Sequence, residues 1–112
     1  MPVMVKDIIY EFAQDMRKLF GSRLGKVVVY GSYARGDYTE NSDVDVMILV
    51  NVEESKISQY MDQVADCAFD YFMKYGVDIS PVIKNEEHFN EWVDSLPYYR
   101  NVRNEGVEVN AG

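Results

Sequence analysis

One apolar segment limits the folds open to this chain more than any other feature. The segment Asp43–Val50 carries two carboxylates at its start and then five apolar residues in succession. A run of this kind predicts a β-strand. Because no polar residue follows Asp45 within it, we expect both faces of the strand to be buried. The rest of the chain must therefore supply a covering layer on each side of a sheet.

The flanking segments alternate between helical and strand patterns. Helices are predicted over Val5–Phe20, Ser55–Tyr75 and Asn85–Ser95, with a short helical turn over Ser32–Arg35 and another turn or two within Leu96–Glu105. Strands are predicted at Lys26–Tyr30, Asp43–Val50 and Val77–Ile83, with a further short strand possible at Val107–Val109. Pro81 lacks a backbone donor, which places the third strand at a sheet edge or at a bulge. The order α-β-α-β-α-β-α predicts an α/β (α+β) fold with a small mixed sheet flanked by helices.

Length and composition limit the classes of protein and site. A chain of 112 residues has room for one domain, which we expect to span residues 1–112. One cysteine and one histidine cannot form an internal disulfide or a Cys/His zinc cage. With 11 basic and 19 acidic residues, the net charge of −8 argues against direct nucleic-acid binding.

Neither export nor membrane insertion is predicted. No apolar run approaches the roughly 20 residues that span a bilayer. The first residues, Met1–Asp7, do not have the pattern of a signal peptide. We therefore expect no membrane association and a cytoplasmic location.

Two carboxylates at the start of the central strand suggest a metal site. Asp43 and Asp45 are two residues apart, so in a strand both side chains point to the same face. Two like charges in a half-buried place repel, and a divalent cation removes that penalty. Mg²⁺ prefers one or two carboxylates together with water and substrate phosphate oxygens. Asp78, which opens the third predicted strand, is the natural third carboxylate.

A glycine–serine pair lies just before this carboxylate pair, where a strand gives way to a helical turn. Gly31 lets the backbone approach a ligand closely. The Ser32 hydroxyl and the free N–H groups of the turn could hold a phosphate, and Arg35 could add a positive charge. A phosphate-binding turn beside metal-binding carboxylates is typical of phosphoryl or nucleotidyl transfer.

The spacing of these residues resembles a known signature. Gly31-Ser32, then ten residues, then Asp43-Val44-Asp45 is similar to the pattern of the DNA polymerase β-type nucleotidyltransferase superfamily. The Gly-Ser-Tyr-Ala-Arg-Gly sequence from Gly31, Ser42 before Asp43, and the short length resemble the minimal nucleotidyltransferases of bacteria and archaea. The resemblance extends over nearly the whole chain and implies the polymerase β-type fold.

The resemblance also implies site roles. Asp43 and Asp45 would hold one or two Mg²⁺ ions against the phosphates of ATP, and Asp78 would bind the catalytic metal and help to deprotonate the attacking hydroxyl. Ser32 and Arg35, next to Gly31, would hold the β- and γ-phosphates. The hydroxyl would attack the α-phosphorus in line, and pyrophosphate would leave.

A partner is implied by the same resemblance. Minimal nucleotidyltransferases are commonly encoded beside a HEPN-domain protein, an RNase toxin for which the nucleotidyltransferase is the antitoxin. Transfer of AMP from ATP to a tyrosine of that toxin is the implied activity. Two alternatives stay open at this point: an antitoxin that neutralises its partner by contact alone, and transfer to a small-molecule hydroxyl such as that of an aminoglycoside.

Three other features have a simpler structural explanation beside a functional one. We expect His88 to be a surface residue and Cys67 a small packed residue rather than a nucleophile. Trp92, Tyr98 and Tyr99 could form an interface patch or could simply pack, and the sequence does not decide between these two.

Overall fold

The computed structural model describes residues 3–109 and confirms a mixed α/β architecture. Its helices are α1 (Val3–Phe20), α2 (Ser32–Arg35), α3 (Glu54–Tyr75), α4 (Glu86–Trp92) and α5 (Pro97–Glu105). Its strands are β1 (Leu24–Tyr30), β2 (Val44–Val50), β3 (Ile79–Asn85) and β4 (Val107–Val109). A 3₁₀ turn over Gly21–Arg23 joins α1 to β1. The predicted domain bounds, 1–112, extend at both ends beyond the described residues.

The described strands form one mixed sheet in the order β3-β2-β1-β4. β2 pairs with β3 in parallel, and β1 pairs with β2 and β4 in antiparallel. Parallel strands require a crossover, and α3 supplies it between β2 and β3. Pro81 lies in β3, at one end of this strand order, as its missing donor predicts.

The central strand β2 is buried on both faces, as its apolar run predicts. One face packs under α1 and α3 through a row of aliphatic residues: Val44, Val46, Ile48 and Val50. The other face packs under α4 and α5, where Met47 and Leu49 contact Phe89 and Val102. All six of these β2 residues are at most 2% exposed. Helices therefore cover both sides of the sheet and leave the ends of the strands for the site.

Several element bounds differ from the sequence predictions. β2 begins at Val44 instead of Asp43, and β3 covers Ile79–Asn85 instead of beginning at Val77. The first rung between these strands is the Val44 N–H, which donates to the Asp78 carbonyl oxygen at 2.8 Å. Asp43 and Asp78 themselves lie just before the ladder. Both residues therefore lie at the end of the sheet where β2 and β3 begin.

The predicted helix at Asn85–Ser95 is shorter in the structure. Asn85 caps α4 from outside, since its side chain accepts the His88 N–H at 2.8 Å. The predicted turn or two within Leu96–Glu105 is a nine-residue helix, α5, with Pro97 in its first turn. None of the described helices is long and apolar enough to cross a membrane.

The one thiol of the chain is shielded. Cys67 lies on α3, packs partly against the core, and places its Sγ 3.6 Å from an Asp15 carboxylate oxygen. Burial, together with the Asp15 charge, raises the pKa of the Cys67 thiol to about 12. Only the thiolate reacts with disulfide and alkylating reagents. This environment favours the packing role expected for Cys67.

We predict that Cys67 reacts with a thiol reagent at pH 8 at least about a hundredfold more slowly in the folded protein than in urea. Asp15→Asn should speed the reaction of the folded protein, because it removes the charge that opposes thiolate formation. The measurement is the rate of a chromogenic disulfide exchange. Equal rates in the folded and unfolded protein would contradict the shielded thiol.

Candidate functional site

The ends of three strands bring the predicted site residues together at one end of the sheet. The end of β1 lies beside the start of β2, where Tyr30 is paired with Asp45. The start of β3 lies on the other side of β2, where Val44 is paired with Ile79. Across the sheet, the order is therefore Asp78, then the Asp43–Asp45 pair, then Gly31.

The three carboxylates at this end of the sheet interact in two pairs, Asp43 with Asp45 and Asp43 with Asp78. Partial burial and then the Asp43 charge raise the pKa of Asp45, while Arg35 acts in the opposite direction. Desolvation, together with a hydrogen bond and repulsion from Asp43, raises the pKa of Asp78. Asp43 is thus the carboxylate that both others face.

The carboxylates Asp43, Asp45 and Asp78 are candidate oxygen ligands for Mg²⁺. Within residues 3–109, no group of three or more His, Cys, Asp or Glu side chains is close enough to hold an ion by itself. Mg²⁺ commonly takes only one or two carboxylates and completes its shell with water and substrate phosphates. Crowded carboxylates with raised pKa values are the kind of oxygen donors that a divalent cation would stabilise. The paired arrangement therefore fits Mg²⁺ bound together with a phosphate substrate.

Gly31 is required by its conformation and by its neighbour. Its φ of +75° and ψ of −152° lie in a region that residues with a side chain rarely adopt. A Cβ at this position would overlap a carboxylate oxygen of Asp45. Its carbonyl oxygen accepts the N–H groups of Ala34 and Arg35 at 3.1 and 3.0 Å, which starts α2. Gly31 thus allows the backbone to approach the carboxylate pair closely and then to continue into α2.

The Gly31–Arg35 segment is held from the far end of the chain. The guanidinium of Arg35 donates from Nη1 to Oε1 of Glu105 at 3.1 Å, and from Nε to Asp37 at 3.3 Å. The same Glu105 oxygen accepts the Gly31 N–H at 3.2 Å. Local sequence patterns could not reveal Glu105, because it lies 70 residues from Arg35 and no motif connects the two.

A cleft opens beside the carboxylates on the β3 side. Its volume is about 290 Å³, and Asp43 and Asp78 both line it. Tyr33 and Phe72 give it two aromatic walls. Asp45 does not line this cleft. Two of the three predicted carboxylates therefore face a space large enough for part of a ligand.

A cluster of aromatic residues lies on the β1 side of the site. The hydroxyls of Tyr30 and Tyr98 are 2.6 Å apart. Burial raises the pKa of Tyr30, with smaller contributions from Tyr98 and Asp45. Tyr99 is buried among α4 and β2 residues, and its hydroxyl lies 3.0 Å from Nδ1 of His88. Tyr98 and Trp92 are each 43% exposed. The sequence left packing and an interface open for these three residues. In the structure Tyr99 packs in the core, whereas Tyr98 and Trp92 face solvent.

Comparison with known proteins identifies the family of the chain. The family model described as a nucleotidyltransferase domain matches residues 9–105. A Methanocaldococcus jannaschii protein, provisionally named a protein adenylyltransferase, is 38% identical over 98 residues, which are 88% of this chain and 90% of that protein. The protein adenylyltransferase MntA of Thermococcus cleftensis is 32% identical over 77 residues, covering 62% of this chain and 74% of the relative.

Two solved structures share the fold. A Sulfolobus solfataricus protein, provisionally described as a nucleotidyltransferase, superposes with a TM-score of 0.64 at 19% identity, over 95% of this chain and 79% of that one. The crystal structure of a toxin-antitoxin with AMP-PNP gives a TM-score of 0.57 at 16% identity, over 96% and 73% of the two chains. The resemblance of the Gly31–Asp45 signature to the minimal nucleotidyltransferases is confirmed, and the chain belongs to the nucleotidyltransferase domain family.

Proposed function

We propose that this nucleotidyltransferase transfers AMP from ATP, in a Mg²⁺-dependent reaction, to a hydroxyl of a partner protein. The proposal is supported by the position of Asp43, Asp45 and Asp78 at the same end of the sheet as the Gly31–Arg35 segment, with Asp45 next to Gly31. Carboxylates, together with groups that can donate hydrogen bonds to phosphate at the same end of the sheet, suit a reaction at a phosphorus atom.

The three carboxylates would hold the metal. Asp43 and Asp45 would ligate one or two Mg²⁺ ions, and Asp78 would serve the ion nearer the acceptor. The bound metal would neutralise charge on the phosphates and lower the pKa of the attacking hydroxyl. Asp78 would also help to deprotonate the attacking hydroxyl.

The order of residues across the sheet supports a proposal for the side on which each reactant binds. The Ser32 hydroxyl and the Arg35 guanidinium, which follow β1, would hold the β- and γ-phosphates that leave as pyrophosphate. In-line displacement requires the attacking oxygen on the opposite side of the α-phosphorus. The acceptor hydroxyl would therefore arrive over β3, where Asp78 and the cleft lie.

The acceptor is proposed to be a protein. The matched relatives are named protein adenylyltransferases, and one structural neighbour comes from the crystal structure of a toxin-antitoxin with AMP-PNP. The chain spans 90% of its M. jannaschii relative, so the comparison covers most of that protein. We propose a HEPN-type toxin as the partner, a tyrosine as its acceptor and the cytoplasm as the location.

The proposal is tested with the protein encoded beside this gene. The two proteins are mixed with ATP and Mg²⁺, and the intact mass of the partner is recorded. We expect a gain of one or more AMP masses, which requires ATP and is abolished by a chelator. The Asp43→Asn variant should bind the partner and leave its mass unchanged.

Two other outcomes would contradict this proposal. A stable complex that neutralises the partner equally well with Asp43→Asn would indicate an antitoxin that acts by contact alone. AMP appearing on an aminoglycoside or another small alcohol, and never on the partner, would indicate a small-molecule acceptor.

A further inference from the structure

The Glu105 carboxylate occupies an electrostatically unfavourable place. Glu105 is the last residue of α5, where the helix dipole disfavours a negative charge. It also lies close enough to Asp45 to raise the pKa of that carboxyl. The contacts that compensate are the Arg35 guanidinium at 3.1 Å and the Gly31 N–H at 3.2 Å.

The docking of α5 has other anchors. Tyr99 and Val102 of this helix are 4% and 1% exposed in the core beneath it. The Gly106 N–H closes the end of the helix on the Val102 carbonyl oxygen at 2.8 Å. Because these contacts already anchor α5, the helix does not need Glu105 to hold it in place. The position of Glu105 is explained better by its contacts with Gly31 and Arg35.

What Glu105 holds is both ends of the Gly31–Arg35 segment. A single oxygen, Oε1, accepts from the backbone of Gly31 and from the side chain of Arg35. The side chain of Arg35 is 46% exposed, and that of Glu105 is 26% exposed. An exposed arginine has many rotamers, and fixing one of them before a ligand arrives reduces the entropy lost on binding.

We propose that Glu105 is a positioning residue for the phosphates of ATP: through one carboxylate oxygen it fixes the Gly31 backbone and the Arg35 guanidinium in the orientation that receives them. This role rests on the proposed function and adds a residue from the far end of the chain to that site. It acts through Arg35 and Gly31 and not through contact with the reacting atoms.

The test is the dissociation constant of ATP with Mg²⁺, measured by calorimetric titration without any acceptor. Glu105→Ala should weaken ATP binding by about tenfold, because the Arg35 side chain and the Gly31 backbone would no longer be fixed before ATP binds. Glu105→Gln keeps an acceptor oxygen at the same place, so its affinity should stay within about threefold of the unchanged protein. Glu91→Ala, an exposed glutamate of α4, is the matched control and should bind ATP normally.

Each contrary result has a distinct meaning. Tighter ATP binding by Glu105→Ala would overturn the proposal, because Glu105 would then be a competitor of phosphate. Unchanged affinity with a lower melting temperature would also overturn it and leave Glu105 a purely structural role. If the unsubstituted protein itself does not bind ATP with Mg²⁺, the proposed function fails, and the role of Glu105 fails with it.

Discussion

Asp43→Asn should lower AMP transfer by about a thousandfold or more, equivalent to about 4 kcal/mol of transition-state stabilisation. The reason is the position of Asp43, which both Asp45 and Asp78 face. An amide in its place carries no charge and is a poor Mg²⁺ ligand. The measurement is the rate of pyrophosphate release from ATP in the presence of the acceptor.

The same substitution should stabilise the protein in the absence of metal. At pH 7 the ionised carboxylates repel, and their raised pKa values mean that ionisation costs folding free energy. Removing the Asp43 charge should therefore raise the melting temperature in a metal chelator. Added Mg²⁺ with ATP should then stabilise the unsubstituted protein more than the variant.

Asp62→Asn is the control for this pair of effects, since Asp62 is an exposed residue in the middle of α3. It changes the net charge by the same amount and should alter neither transfer nor melting temperature appreciably. If Asp43→Asn keeps full activity, or if it lowers the melting temperature as a core defect would, our assignment of Asp43 is wrong.

Gly31→Ala should both destabilise the fold and remove activity. A side chain at φ +75° and ψ −152° costs of order 1–3 kcal/mol in backbone strain. The added methyl would also overlap the Asp45 carboxylate, so either that carboxylate or the turn must move. We expect a total loss of about 3 kcal/mol in the free energy of unfolding and transfer below detection.

Gly21→Ala separates these two causes. Gly21 also has a positive φ, +59°, but a Cβ there would meet no atom within 4 Å. Its cost should be limited to backbone strain of about 1 kcal/mol, with transfer unchanged. Denaturant unfolding and the transfer rate, measured on both variants, make the comparison. Equal effects of the two substitutions would contradict the close approach of Gly31 to Asp45.

The features of the site that are local in sequence could be predicted, and those that depend on packing could not. Two carboxylates at a strand start and a glycine–serine pair at a strand end are visible as patterns within 15 residues of chain, from Gly31 to Asp45. The structure places these residues side by side because β1 and β2 pair with Tyr30 opposite Asp45. The uninterrupted apolar run of β2 also predicted a layer on each side of the sheet, and β2 is indeed buried on both faces.

The contact between Glu105 and Arg35 had no sequence signal. It depends on how α5 crosses the sheet, which is set by the core packing of Tyr99 and Val102 and not by any local pattern. The Tyr30–Tyr98 hydroxyl pair is likewise separated by 68 residues. The exact strand starts were also missed, because the first β2–β3 hydrogen bond, and not the alternation of residue types, fixes them.

The most direct test of nucleotidyl transfer follows the two ends of the triphosphate separately. ATP labelled at the α-phosphate and ATP labelled at the γ-phosphate are each incubated with Mg²⁺, this protein and the partner. We predict α-label on the partner and γ-label released as pyrophosphate, both lost with Asp43→Asn. Transfer of the γ-label to the partner, or no cleavage between the α- and β-phosphates, would contradict nucleotidyl transfer.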